Sequence, residues 1–261
     1  MPYDVRNPII PDNFEHPPLR SQVGCWRSHA NVWSHIVSSG ISSALILEDD
    51  ADFSIGIRDI LDGISIQLQD VEGARNGEPY GLVDGNSWDV LALGICYHEG
   101  PDPEENPKAA QMARGWFDPY APENDQLSQL YIPGGSKRVR LLTLAKGMAC
   151  TQAYAVTREG AMRLLYNVGG PGHELDRPVD LLMGDLMGEG ILKGYSIIPT
   201  VVGQWSSGDW RSSNIDEKKP WGAGSWKEVI QSVRSEIAEV WGNRDIWSEY
   251  EQELVNTTDD W

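Results

Sequence analysis

Three consecutive carboxylates, Glu48, Asp49 and Asp50, are the residues of this sequence best suited to metal chemistry, and Asp52 follows closely. They come directly after four apolar residues at 44–47, which predict a fully buried strand. Ligands bind beyond the carboxyl ends of strands in open α/β sheets. Carboxylate oxygens at such an edge suit Mg²⁺ or Mn²⁺, which also coordinate phosphate oxygens. The cluster alone is equally consistent with a solvated acidic turn.

The charge balance limits the partners of the protein. Asp and Glu total 39 against 21 Lys and Arg, which gives a formal net charge of −18. A nucleic-acid backbone or an anionic membrane surface would be repelled over most of the surface, so nucleic acid is not expected as a partner. An anionic diphosphate substrate would need a divalent cation or a local basic patch. The composition therefore predicts a metal independently of the acidic motif.

No segment of the sequence predicts a membrane helix or a signal peptide, because no run approaches the required apolar length. Membrane insertion is not expected. The location is unknown, with the cytoplasm as the default and the secretory pathway as the alternative if the N-terminus is incomplete.

The cysteines Cys25, Cys96 and Cys150 are odd in number and widely spaced, which favours buried thiols over a metal site or a disulfide framework.

The element expected to pack beside the acidic cluster is a helix over residues 25–37. Apolar residues recur there at helical spacing, and Gly40 provides a stop signal before the strand. His29 falls in the apolar sector of this helix. The pattern favours a core histidine that hydrogen bonds to a neighbour, and the alternative is a residue that orients the acidic motif without binding the metal itself.

The rest of the chain predicts one α/β domain over residues 21–261 after a proline-rich lead-in at 1–20. A helix over 55–68 and a buried strand over 88–93 follow the acidic cluster and suggest a parallel βαβ unit. Residues 99–136 are polar and predict a surface excursion. Further expected elements are strands at 138–144, 153–156 and 195–198, a helix over 158–166 capped by Thr157, a short helix from Pro178, and C-terminal helices from near Lys227.

Several segments of the sequence form a pattern that is specific in order and spacing. The first is Gly-Cys-Trp-Arg-Ser-His at 24–29, followed by Trp33 and by the strand and acidic cluster at 44–53. This pattern resembles glycosyltransferase family 25, which includes lipopolysaccharide-biosynthesis and procollagen galactosyltransferases. Residues 147–161 also resemble the strand-then-helix segment of the family, and 177–180 resemble its Pro-x-Asp element. The similarity extends to about residue 215.

The resemblance implies a GT-A-like nucleotide-sugar transferase fold with a mostly parallel central sheet. It also implies that Glu48, Asp49 and Asp50 hold Mn²⁺ or Mg²⁺ and that a UDP-hexose, UDP-galactose or UDP-glucose, is the donor. Inversion at the sugar needs a base, for which Asp180 is the candidate; the alternative for Asp180 is stabilisation of a helix N-terminus. Gln204 is either a donor contact or a strand end. The acceptor would be a glycan, a lipid-linked glycan or a protein.

Two departures from the family leave a second hypothesis open. Members begin with a strand that helps hold the uridine, whereas about twenty proline-rich residues precede the signature here, so the sheet is expected to lack its first strand. Asn214 also stands where the family has an aspartate. Besides a metal-dependent inverting hexosyltransferase, the sequence therefore fits an N-terminally truncated, catalytically silent relative that acts as a carbohydrate-binding or interaction module. Three tryptophans could stack on sugars: Trp205, Trp210 and Trp221.

Overall fold

The structure is a computed structural model that describes residues 7–12, 18–72, 88–206, 224–225, 229 and 231–234. The predictions that concern Trp210, Asn214, Trp221 and the C-terminal helices lie outside these residues. Within the described ranges, no helix combines the length and apolar character that crossing a membrane requires.

The described residues form a mixed α/β fold. Its helices are α1 Arg20–Ser39, α2 Ile57–Glu72, α3 Pro107–Ala110, α4 Asp125–Tyr131, α5 Arg158–Asn167 and α6 Val179–Gly188. Its strands are β1 Ser43–Leu47, β2 Ala51–Phe53, β3 Val90–Gly94, β4 Tyr97–Glu99, β5 Arg114–Phe117, β6 Val139–Ala145, β7 Gly147–Ala149, β8 Ala153–Thr157, β9 Gly194–Ile198, β10 Val202–Ser206 and β11 Gly224–Ser225.

The central sheet is mainly antiparallel, so the prediction of a mostly parallel sheet is wrong. Its six strands lie in the order β1-β8-β3-β9-β6-β5, and β3 with β9 is the parallel pair among them. The strands β1 and β3 do run in the same direction and are joined through α2, as a βαβ unit requires. However, β8 inserts between them and pairs antiparallel with both. The strand β8, which comes later in the chain, thus lies between β1 and β3, which are consecutive strands of the predicted βαβ unit.

Helix α1 covers one face of this sheet and confirms the helix predicted from periodicity. Trp26, Ala30, Trp33 and Ile36 are buried in the core that α1 shares with the sheet, α5 and α6. Gly40 ends the helix with a φ of 69°, in the left-handed region that favours glycine. The large aromatic side chains on α1 therefore fix its position against the strands.

The strand β1 is an edge strand of the described sheet, and the expectation of full burial is wrong. Leu45 and Leu47 are 49% and 45% exposed because their side chains share the face that α2 covers incompletely. A cavity of about 500 Å³ lies there between β1 and α2, lined by apolar side chains such as Leu61 and Leu91. The acidic residues at the end of β1 do not line this cavity.

The excursion at 99–136 and the cysteines also differ from expectation. The excursion is not confined to the surface, because β5 within it joins the central sheet beside β6. Cys96 and Cys150 form a disulfide whose Cα atoms are 5.6 Å apart, whereas Cys25 is free. Pairing of β4 with β7 brings the two disulfide residues together from a sequence separation of 54. Such long-range pairing is not visible in cysteine spacing.

Candidate functional site

The acidic cluster forms the turn between β1 and β2. The N–H of Glu48 donates to the carbonyl of Gln152, the residue immediately before β8, at 3.0 Å. The N–H of Ala51 then closes the turn by donating to the carbonyl of Glu48, at 3.1 Å. The small sheet of β2, β10 and β11 continues from this turn. The change of sheet after Glu48 therefore gives Glu48 and Asp50 different partners.

Glu48 faces α1 and the segment that precedes β8. The hydroxyl of Thr151 donates to its Oε1 at 2.6 Å, and Nε2 of His29 lies 3.7 Å from the same oxygen. Burial by itself would raise the pKa of Glu48, but the nearby His29 side chain and the hydrogen bond from Thr151 outweigh it and lower the pKa below its ordinary value. Glu48 is thus held as a carboxylate by protein groups.

A chain of hydrogen bonds behind Glu48 assigns the tautomer of His29. Because the Thr151 hydroxyl donates to Glu48, its oxygen accepts from His29 Nε2, at 3.5 Å. His29 Nδ1 then accepts from the Tyr154 hydroxyl at 2.8 Å, and that hydroxyl accepts from Trp33 Nε1 at 2.8 Å. Burial raises the pKa of Tyr154, so the hydroxyl keeps its proton. Every donor in the chain points toward Glu48, which supports its negative charge.

Asp50 faces the small sheet and retains an unpartnered oxygen. Gln204, whose backbone pairs with Ala51, donates from Nε2 to Oδ2 of Asp50 at 2.7 Å. The other oxygen, Oδ1, is buried and has no hydrogen-bond partner in the part of the chain that the structure describes. Burial, followed by the charges of Glu48 and Asp49, raises the pKa of Asp50 despite the bond from Gln204. A buried carboxylate oxygen without a donor is unfavourable, so Oδ1 is the atom of the turn that a further ligand would stabilise most.

Asp49 and Asp52 differ from Asp50 in their surroundings. The side chain of Asp49 is exposed, and its backbone carbonyl accepts from Nη2 of Arg234 at 2.7 Å. Asp52 is 1% exposed and accepts from the Ser232 hydroxyl at 2.5 Å and from the Arg234 N–H at 3.3 Å. Asp52 therefore fastens a distant segment to β2 rather than facing a substrate.

Asp180 lies in the first turn of α6 and contacts the segment that carries Thr151. It does not cap its own helix, because Oδ2 accepts from the backbone N–H of Cys150 at 2.7 Å. Burial, followed by the charges of Glu48 and Asp180, raises the pKa of the Cys25 thiol to about 11. Asp180 and Glu48 thus contact neighbouring residues of one segment, Cys150 and Thr151.

Asp49 and Asp50 are the residues of the turn that would hold a divalent cation whose remaining ligands come from a substrate. Within the described ranges, no group of three or more His, Cys, Asp and Glu side chains is arranged to hold a metal alone. Mg²⁺ and similar ions are, however, commonly bound through one or two carboxylates together with substrate phosphates. Oδ1 of Asp50 and the exposed carboxylate of Asp49 would be the two carboxylate ligands of such an ion.

Residues 17–80, which contain α1, the acidic turn and α2, match the family described as glycosyltransferase family 25 (LPS biosynthesis protein). The resemblance to family 25 is confirmed. Asp180 and Gln204 lie outside the segment that this family model covers. Their roles rest on the geometry described above and on the sequence motifs.

The relatives in family 25 include proteins named as transferases and proteins named as inactive. Procollagen galactosyltransferase 1 of Danio rerio is 33% identical over 100 residues, which is 38% of this chain and 14% of that protein. Inactive glycosyltransferase 25 family member 3 of Homo sapiens is 31% identical over 75 residues, which is 29% of this chain and 10% of that protein. The matched segments are therefore a small part of the length of these relatives.

Sequence reasoning did not identify Thr151, Tyr154 or Arg234 as neighbours of the acidic turn. Thr151 and Tyr154 flank the start of a strand that was predicted, but its position beside β1 depends on long-range pairing. Arg234 contacts Asp49 from 185 residues later in the chain. The sequence around Arg234 contains no motif that would have predicted its contact with Asp49.

Proposed function

We propose that this protein is a glycosyltransferase with a GT-A-like fold that transfers a hexose, galactose or glucose, from a UDP-sugar to an acceptor hydroxyl with inversion. The proposal rests on the similarity to family 25 and on one observation, the unpartnered Oδ1 of Asp50 beside the exposed Asp49. The acceptor would be a glycan, a lipid-linked glycan or a protein.

The proposed role of Asp49 and Asp50 is to hold Mn²⁺ or Mg²⁺ next to the donor diphosphate. Such an ion, when bound, would neutralise negative charge on the departing diphosphate. Gln204 keeps one oxygen of Asp50 engaged, so the other oxygen points in a fixed direction. Glu48 is assigned an indirect role, since Thr151 and His29 already engage it and it contributes negative charge at the base of the turn.

Asp180 is the proposed base. The N–H of Cys150 holds its Oδ2, while Oδ1 has no hydrogen-bond partner among the described residues and is available for an acceptor hydroxyl. The carboxylate would take the hydroxyl proton as the oxygen attacks the sugar opposite the diphosphate. This assignment is consistent with the shared influence of Asp180 and Glu48 on Cys25.

Titration with UDP tests the proposal. Calorimetry would compare wild type with Asp50→Asn, which removes the charge and keeps the shape, in Mn²⁺ and in a chelator. The matched control is Asp125→Asn, because Asp125 is an exposed carboxylate on α4 that pairs with Lys137 at 2.9 Å. We expect Mn²⁺ to strengthen UDP binding at least about tenfold in wild type and in the control, and not in Asp50→Asn. Equal affinities under all conditions would reject the metal site.

A second candidate function is the silent relative that binds carbohydrate or another protein. It is favoured by the relative named inactive and by the protein contacts that already occupy Glu48 and one oxygen of Asp180. The same titration separates the two candidates, because undetectable UDP binding by wild type in Mn²⁺ would support the silent relative.

A further inference from the structure

The segment of residues 231–234 brings a positive charge to the acidic turn. The N–H of Ile55 donates to the carbonyl of Gln231 at 3.0 Å, and buried Asp52 accepts from Ser232 and from the backbone of Arg234. These contacts with β2 and the residues after it fix the main chain at Arg234. The Arg234 side chain therefore extends from a backbone that these hydrogen bonds hold in place.

The guanidinium of Arg234 is held beside Asp49 without a carboxylate partner among the described residues. Nη2 donates to the backbone carbonyl of Asp49 at 2.7 Å, and the guanidinium carbon lies 5.9 Å from the centre of the Trp205 ring. The backbone N–H of Trp205 in turn donates to the carbonyl of Asp50 at 2.8 Å. The contacts to Asp49 and Trp205 orient the guanidinium. Among the described residues, the bond to Asp49 uses one Nη2–H and leaves one of the two parallel N–H pairs of the guanidinium available to an anion.

The charges around the turn indicate which ligand this arrangement suits. A diphosphate that approaches Asp49 and Asp50 is repelled by both, and a single divalent cation offsets only part of the combined negative charge. Arginine binds phosphate oxygens through two parallel N–H groups more readily than other cationic side chains do. A guanidinium next to the cation-binding oxygens would contact the diphosphate from a second direction.

We infer that Arg234 binds the phosphate oxygens of the diphosphate that the acidic turn receives, with Trp205 holding the guanidinium in place. The inference rests on the proposed function, because it assigns a residue to the diphosphate of the proposed donor. It is independent of the nucleoside and of the sugar. Arg234 acts on the anion, whereas Asp49 and Asp50 act on the cation.

Inorganic pyrophosphate with saturating Mn²⁺ is the probe that tests Arg234 apart from the nucleoside. Calorimetry would compare wild type, Arg234→Gln and Arg234→Lys. The matched control is Arg114→Gln, because Arg114 pairs with Asp70 at 2.6 Å on β5, at the opposite edge of the central sheet. We expect Arg234→Gln to weaken pyrophosphate binding about tenfold or more, Arg234→Lys to weaken it less, and Arg114→Gln to bind as wild type does.

A titration with Mn²⁺ alone separates anion binding from damage to the metal site. Arg234→Gln should bind Mn²⁺ at least as well as wild type, since a nearby positive charge has been removed, and its thermal unfolding shows whether the fold is kept. Pyrophosphate binding by Arg234→Gln within twofold of wild type, or an equal loss in Arg114→Gln, would overturn the inference. Wild type that binds Mn²⁺-pyrophosphate but not UDP would overturn the UDP donor and leave Arg234 as a phosphate ligand. Wild type that binds neither would overturn both.

Discussion

Glu48 and Asp50 are separated by one residue, yet the two sides of the acidic turn are built differently. On the Glu48 side, a chain of donors from Trp33 through Thr151 supports the carboxylate, and its pKa is lowered. On the Asp50 side, one oxygen is buried without a partner among the described residues and the pKa is raised. The first side is complete within the protein, whereas the second keeps an oxygen for which we propose a cation as the partner. Adjacent acidic residues in one motif therefore need separate structural explanations.

The largest effect on stability is expected at the buried end of the Glu48 side. Tyr154→Phe removes the hydroxyl that accepts from Trp33 and donates to His29, and it leaves two buried polar atoms unpartnered. We expect a loss of about 2–3 kcal/mol in the free energy of unfolding, measured with urea. Tyr97→Phe is the control, because Tyr97 is 55% exposed. If both variants lose the same amount, the donor chain does not stabilise this side.

A smaller, pH-dependent effect is expected for Glu48→Gln. The folded pKa of Glu48 lies below the ordinary value of 4.5, so its ionised form stabilises the fold above that pH, and this contribution is lost as pH falls through the folded pKa. The variant should be less stable than wild type by about 1–2 kcal/mol at neutral pH and should approach it in acid. Urea unfolding across a pH series measures this. A pH-independent difference, or the same behaviour in exposed Glu104→Gln, would contradict the account.

The smallest effect, with the opposite sign, is expected for Asp50→Asn without metal. The folded pKa of Asp50 lies above the ordinary value of 3.8, so the fold loses stability as pH rises from that value through the folded pKa. In a chelator the variant should therefore be more stable than wild type at neutral pH, by less than about 1 kcal/mol, and equal to it in acid. Asp125→Asn should show no such gain. A loss of stability in Asp50→Asn would show that the two sides of the turn are alike.

The parts of the fold that local sequence determines were predicted correctly. Periodicity predicted α1, Gly40 predicted its end, and Thr157 caps α5 by accepting from the N–H of Gly160 at 3.0 Å. The order of the strands was not predicted, because the insertion of β8 between β1 and β3 depends on the packing of distant segments. A long apolar run predicts a strand but does not indicate whether it lies at the edge or in the centre of a sheet.

The candidate site shows the same division. The acidic cluster is contiguous in sequence, so its position after β1 could be predicted. The groups that distinguish Glu48 from Asp50 come from other elements: Thr151 from the segment before β8, Gln204 from β10, and Arg234 from a segment near the C-terminal end of the described residues. Their proximity results from tertiary structure and leaves no spacing pattern in the sequence.

The position of Cys25 has a consequence for the Cys96–Cys150 disulfide. Thiol–disulfide exchange requires a thiolate, and a thiol with a pKa of about 11 is ionised in only about one molecule in ten thousand at pH 7. Burial, followed by the negative charges of Glu48 and Asp180, therefore disfavours the thiolate that exchange with the bridge would need. Burial of Cys25 in α1 thus adds a chemical reason for the folded chain to keep its Cys96–Cys150 pairing.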